Sequence, residues 1–184
     1  MAAPPAQARP ARDAQRQRLY DAEAQVCRQL AFAARGARTV EVAGSTLTLP
    51  LEVRFGTLEA AQEYVDAVRR SEAFAALFPR AARVPLRVRR RAGGRAAHYE
   101  PPDVIALHEP AHGAAWALRE LVVLHEVTHH GAQHDGLPGP PHGPAFAAAL
   151  VELVGVVVGP EVGLLLTTAF AEHGVDCTAG QEHA

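Results

Sequence analysis

The spacing of hydrophobic positions changes several times along the chain, and each change predicts an element. Residues 13–35 carry Leu19, Val26, Leu30 and Phe32 among good helix formers, which predicts a helix ending at Gly36. The stretch TVEVAGSTLTLPLEVRF then alternates. Val40 and Val42, followed by Leu47, Leu49, Leu51, Val53 and Phe55, share a period of two around Gly44-Ser45, and Pro50 marks an edge or a break. Thr57 is placed to cap a helix with Leu58, Ala61, Tyr64, Val65 and Val68 on one face, and a short turn follows around Phe74 and Phe78. RVPLRVRR alternates Val84, Leu86 and Val88 with Arg87 and Arg89, and AHYEPPDVIALHEP reads as two short strands separated by Pro101-Pro102. Residues 114–131 read as a helix with Ala115, Leu118, Leu121, Val122 and Leu124 apolar. After the loop GAQHDGLPGPPHG, two more helices are expected over 144–158 and 161–173, separated by Gly159-Pro160. Strands come before a helical second half, the order of an α+β layout, and no internal repeat is visible.

At 184 residues the chain suits one domain with a buried core. The expected organisation is a Pro/Ala-rich disordered extension over 1–12, a single domain over 13–176 and a flexible tail over 177–184. A formal net charge of -2 argues against wholesale binding to nucleic acid or to an anionic membrane. Cys27 and Cys177 form neither a disulfide framework nor a Cys-based zinc site, which suits a reducing compartment. The N-terminal stretch lacks the apolar region of a signal peptide, and no apolar run is long enough to cross a bilayer, so the expected location is cytoplasmic. Every one of the basic residues is Arg, which reads as the codon bias of a GC-rich bacterial genome.

The chemistry concentrates in LVVLHEVTHHGAQH, where His125, Glu126 and His129 form the pattern H-E-x-x-H. On a helix, positions i and i+4 share a face, so two imidazoles can grip one zinc ion with Glu126 beside them to take a proton from zinc-activated water. A chain with this many His and Glu residues would show the pattern by chance in about 4% of cases, so context has to decide. The apolar residues just before the motif bury the helix, which supports a site. A catalytic zinc takes three protein ligands and keeps one open position. Candidates for the third are His130, His134, His142 and Glu152. His130 points about 100° away from His129 around the helix. Gly131 and His134 fall one residue too early for the extended H-E-x-x-H-x-x-G-x-x-H spacing. His142, in PPHGPAF, stands immediately before a helix with Pro144 in its first turn. Gly143 there allows close backbone approach, and Phe146 can anchor that helix on the metal helix.

Taken together, HEVTHH and HGPAF resemble the SprT-like (Spartan-type) zincin metalloproteases, whose H-E-x-x-H helix is followed by a loop and then H-G-x-x-F. The resemblance implies a zincin-like fold, with a small antiparallel or mixed sheet packed on the metal helix and helices following it. It also implies Zn2+ on His125, His129 and His142, Glu126 as the catalytic base and a peptide or protein substrate. RFGTLEAAQEYVDAV, AHYEPPDVIAL, RELVVLHEVTHH, HGPAF and GPEVGLLL are similar to a family of small metallohydrolases known mainly from actinobacteria and named by motif. The chain has no Cys-rich zinc ribbon after these motifs, which weakens any inference of DNA recruitment. A non-catalytic zinc protein on the same fold is the alternative, and His134 would then be the fourth ligand.

HYEPPDVIALHE is the best candidate for the strand along which such a site pairs with peptide. Tyr99 and His98 are candidates for oxyanion stabilisation, although Tyr99 also reads as an ordinary half-buried strand residue. Arg119 could bond a loop or steady a carboxylate, while a solvated helix face accounts equally for Arg119 and Glu120. Asp135 could orient a ligand imidazole or simply belong to the turn HDGLPG. Arg83, Arg87, Arg89, Arg90, Arg91 and Arg95 form the one basic patch. It reads better as a solvent-facing hairpin turning at Gly93-Gly94 than as a nucleic-acid contact, since no aromatic residues are interleaved with it.

Overall fold

The computed structural model describes residues 13–36, 38–42, 44–93, 97–108 and 118–178. The expected disordered extension over 1–12 and the part of the tail beyond residue 178 lie outside them. The architecture is α+β, with six α-helices and two small sheets among the described residues.

Helix α1 (Arg16–Ala33) buries Leu19, Ala22, Glu23, Val26, Cys27 and Leu30, a stripe at helical spacing that packs against the last helix. Strands β1 (Thr39–Val42) and β2 (Ser45–Thr48) form a hairpin around Gly44, which has φ 79°. The alternation over 47–55 does not continue as a strand. β2 stops at Thr48, just ahead of Pro50, and of the later alternating positions Leu49 and Phe55 are buried whereas Leu51 and Val53 are exposed. The Thr57 hydroxyl caps α2 (Leu58–Arg70) by accepting from the Ala60 N–H, and α3 (Glu72–Leu77) follows with Ser71 as its cap.

The second sheet has the order β3-β5-β4, with β3 as Arg87–Arg90, β4 as His98–Glu100 and β5 as Val104–Leu107. β5 is the central strand, parallel to β3 and antiparallel to β4. Its run Ile105, Ala106 and Leu107 is wholly buried, as a strand covered on both faces requires. The expected hairpin through Gly93-Gly94 is therefore not formed: β3 and β4 flank β5 rather than pairing with each other, and Gly94 and Arg95 lie outside the described residues.

Helix α4 (Glu120–Asp135) begins later and ends later than its apolar pattern suggests, and residues 109–117 are outside the described set. The start is set by residues 53–55, which hold 118–120 extended. The Phe55 N–H donates to the Leu118 carbonyl at 2.9 Å and the Glu120 N–H to the Val53 carbonyl at 3.1 Å. Gly131 is interior rather than terminal. The ring of Phe78 lies where its Cβ would be, at 2.6 Å, so glycine is required there for packing. The helix stops at Gly136 in the left-handed region, with φ 71°. Helices α5 (Pro144–Val157) and α6 (Pro160–Glu172) complete the core, with α5 against α4 and α6 against α5 and α1. Among the described residues no helix is long and apolar enough to cross a membrane.

Candidate metal centre

Helix α4 presents His125 and His129 one turn apart, and His142 approaches them from the residue before the Gly143 cap of α5. The Nε2 atoms of His125 and His129 lie 3.1 Å apart, and those of His129 and His142 lie 3.2 Å apart. The structure thus brings together the two motif histidines and the candidate third ligand. Phe146 packs its ring on all three imidazoles, closest to His129 at 4.3 Å between centroids.

The far side of two rings is held by carboxylates. His125 Nδ1 is 2.8 Å from Glu23 Oε1, and His142 Nδ1 is 2.7 Å from Asp13 Oδ2. An ionised carboxylate only accepts, so Nδ1 carries the proton in each ring and Nε2 of a neutral ring is left bare. His129 Nε2 bears at most one proton and can serve only one of its two neighbours. The other nitrogen–nitrogen contact has no proton to share. Such a convergence is disfavoured in a protein interior unless a cation lies among the nitrogens. The cluster is compatible with a metal ion.

For two of the three rings the electrostatics point the same way. Burial, then the neighbouring His125 and His142, hold His129 far below the usual histidine range, which keeps it neutral and able to ligate. Burial also lowers His142, against the pull of Asp13. Burial disfavours charge on His125 too, but the charge and hydrogen bond of Glu23 outweigh it and the pKa is raised. Glu126 is buried at the wall of an open cleft of about 470 Å³, and that burial raises its carboxyl despite His125 and a hydrogen bond from the Tyr99 backbone.

Helix α1 supplies what the sequence pattern missed. Tyr20, Glu23 and the preceding Asp13 reach the cluster, and the Tyr20 hydroxyl lies 3.2 Å from His142 Nε2. The only signal for them was a polar residue on the otherwise apolar stripe of α1, with Glu23 between Leu19 and Val26.

The remaining candidates fall elsewhere. Glu152 is exposed on α5, away from the cleft. His130 is fully buried on another face of α4 and bonds the Ala81 carbonyl, and His134 pairs with Asp103 at 2.7 Å. His134 therefore does not close the three-histidine cluster. Tyr99 and His98 line the cleft, but the Tyr99 hydroxyl is engaged with the Pro102 carbonyl and His98 Nε2 with Glu100 at 2.8 Å. Arg119 and Glu120 are buried rather than solvated. Arg119 clamps Glu52 through two nitrogens, at 2.6 and 2.7 Å, and Glu120 accepts from the Tyr64 hydroxyl at 2.7 Å. Asp135 orients no metal-cluster imidazole; its carboxylate accepts from the Arg80 and Ala81 N–H groups and caps the 3-10 turn at residues 81–83. In the basic patch, Arg89 is paired with Glu100, at 2.9 Å from Nε.

Comparison of the chain with protein-family models, with curated proteins and with solved structures finds no match in any of the three.

Proposed function

We propose that this protein is a zinc-dependent hydrolase, specifically a peptidase of the zincin-like, SprT-like kind, with zinc on His125, His129 and His142 and Glu126 as general base. The close approach of His129 Nε2 to those of both His125 and His142, with all three ligand atoms within 4.8 Å of one another, carries the reading. Nitrogens around a tetrahedral zinc, each at about 2.0–2.1 Å, stand roughly 3.3 Å apart. The spacings of 3.1 and 3.2 Å lie close to that value. Zinc held there supplies a Lewis acid that polarises a carbonyl and brings the pKa of water toward ~7.

The side chains divide the remaining work. Glu126, buried beside the ligands yet open to the cleft, takes the proton of the attacking water and passes it to the leaving amine. Glu23 and Asp13 fix the tautomer and direction of His125 and His142. The Tyr20 hydroxyl, whose pKa burial raises, stays protonated and can donate to oxygen in the cleft. β4 lies at the sheet edge and contributes His98 and Tyr99 to the cleft, so an extended peptide can pair along it.

One observation favours a second reading, a non-catalytic zinc protein. The Tyr20 hydroxyl is close enough to His142 Nε2 to act as a fourth ligand and close the site. Hydrolysis of an unfolded protein by the zinc-loaded chain separates the two. Glu126→Gln should retain its zinc and lose turnover by about 10² or more. Turnover unchanged in that variant would remove Glu126 from the chemistry, and no turnover by the unaltered protein would favour the second reading.

A further inference from the structure

We propose that Asp103, His130 and His134 form a second binding site, for a divalent transition-metal ion, on a different face of α4 from the three-histidine cluster. Their ligand atoms lie within 4.8 Å of one another. His130 and His134 repeat the i, i+4 spacing of His125 and His129, displaced by five residues along the same helix. Asp103 reaches them from the turn between β4 and β5.

The imidazole of His130 carries the inference. Its side chain is 0% exposed, and its Nε2 lies 3.3 Å from the Ala81 carbonyl. A carbonyl only accepts, so Nε2 holds the proton of that bond and Nδ1 presents its lone pair. That Nδ1 is buried and has no hydrogen-bond partner. Facing it at 3.8 Å is Asp103 Oδ1, too far for a hydrogen bond and of the wrong polarity for a bare nitrogen. A buried lone pair aimed at a carboxylate is unfavourable, and a cation between the two satisfies both. His134 Nε2, 2.7 Å from the same oxygen, donates its proton to it and becomes the third ligand when a cation displaces that proton. The Ala81 carbonyl already fixes the tautomer and direction of His130, as an outer hydrogen bond does for a ligand imidazole.

Two imidazoles and one carboxylate suit zinc, nickel, cobalt or copper rather than magnesium or calcium. Asp103 and His134 keep part of their surface in solvent, so water completes the coordination and binding is weaker than at the buried three-histidine cluster. An ion here ties the turn after β4 to α4. Tyr99 stands between the two clusters, its ring 6.3 Å from that of His129 and 6.1 Å from that of His130, with its hydroxyl on the Pro102 carbonyl. Occupancy would stiffen the cleft wall that β4 forms.

Calorimetric titration of zinc into the metal-free full chain, with metal analysis of the products, tests this. The expected result is two ions, one tight and one weaker. Asp103→Ala and His134→Ala alter partly exposed side chains and should each lose the weaker ion while keeping the tight one. His142→Ala should do the reverse. A single ion lost only with His142→Ala overturns the second site, and so does a second ion retained by both Asp103→Ala and His134→Ala. A single ion lost with Asp103→Ala but kept by His142→Ala upholds the second site and overturns the three-histidine one.

Discussion

Glu23 and His125 are joined by a 2.8 Å contact across 102 residues of chain, between two buried side chains on different helices. Glu23→Ala leaves the Nδ1 proton of His125 buried without an acceptor and the ring free to turn. Zinc affinity, measured by competition with a chromophoric chelator, should fall about 10- to 100-fold. Glu23→Gln retains an accepting oxygen and should lose less. Wild-type affinity in the Ala variant would mean that packing alone holds His125.

Tyr20→Phe removes one hydroxyl and little else. If that hydroxyl stabilises developing charge on a substrate oxygen, kcat should drop roughly 10²-fold while KM and zinc content stay put. The opposite pattern, weaker zinc binding with whatever turnover exists unaltered, would mark Tyr20 as a ligand.

Gly131→Ala places a methyl group against the Phe78 ring at 2.6 Å. Helix propensity favours alanine by about 1 kcal/mol, whereas forcing a buried ring aside costs about 1–3 kcal/mol. A net loss of stability is expected, seen as a lower urea midpoint with an unchanged slope. A midpoint at or above that of the unaltered protein would show that Phe78 yields freely.

Alkaline pH should destabilise the fold through groups that are buried uncharged. Burial pushes the Cys27 thiol up from about 9 to about 12, and burial together with Glu120 raises the Tyr64 phenol. As pH rises through 9 and beyond, the unfolded chain releases these protons first, so the folded state binds more protons and stability falls. Each group contributes at most about 1.4 kcal/mol per pH unit within its window. Denaturant midpoints between pH 8 and 11 would measure the slope, and Cys27→Ala should flatten it. An identical slope in that variant would assign the loss to other groups.

How much of this was legible in the sequence depended on range. The cap at Thr57, the helices after the histidine loop and the strands around Pro101-Pro102 follow from neighbours a few residues apart, and local pattern found them. The end of α4 did not follow, because Gly131 looks like a terminator until Phe78, 53 positions earlier, is seen against it. β3 and β4 looked like a hairpin because no local rule states that β5 inserts between them. The same limit applies to the site. His125, Glu126, His129 and His142 stand within 18 residues, whereas the carboxylates and hydroxyl behind them come from α1 and the residues just before it, more than 100 positions away.

The seating of α1 fixes an order of events during synthesis. α1 is clasped by α6, and Gln15 exchanges two hydrogen bonds with the backbone of Asp176, at 3.0 and 3.1 Å. A ribosome releases α1 well before the helix on which it rests. Until α6 emerges, the growing chain carries the histidine motif without the buttresses of Asp13, Glu23 and Tyr20. The proposed centre thus reaches its full hold on His125 and His142 only once α6 is made and α1 is seated.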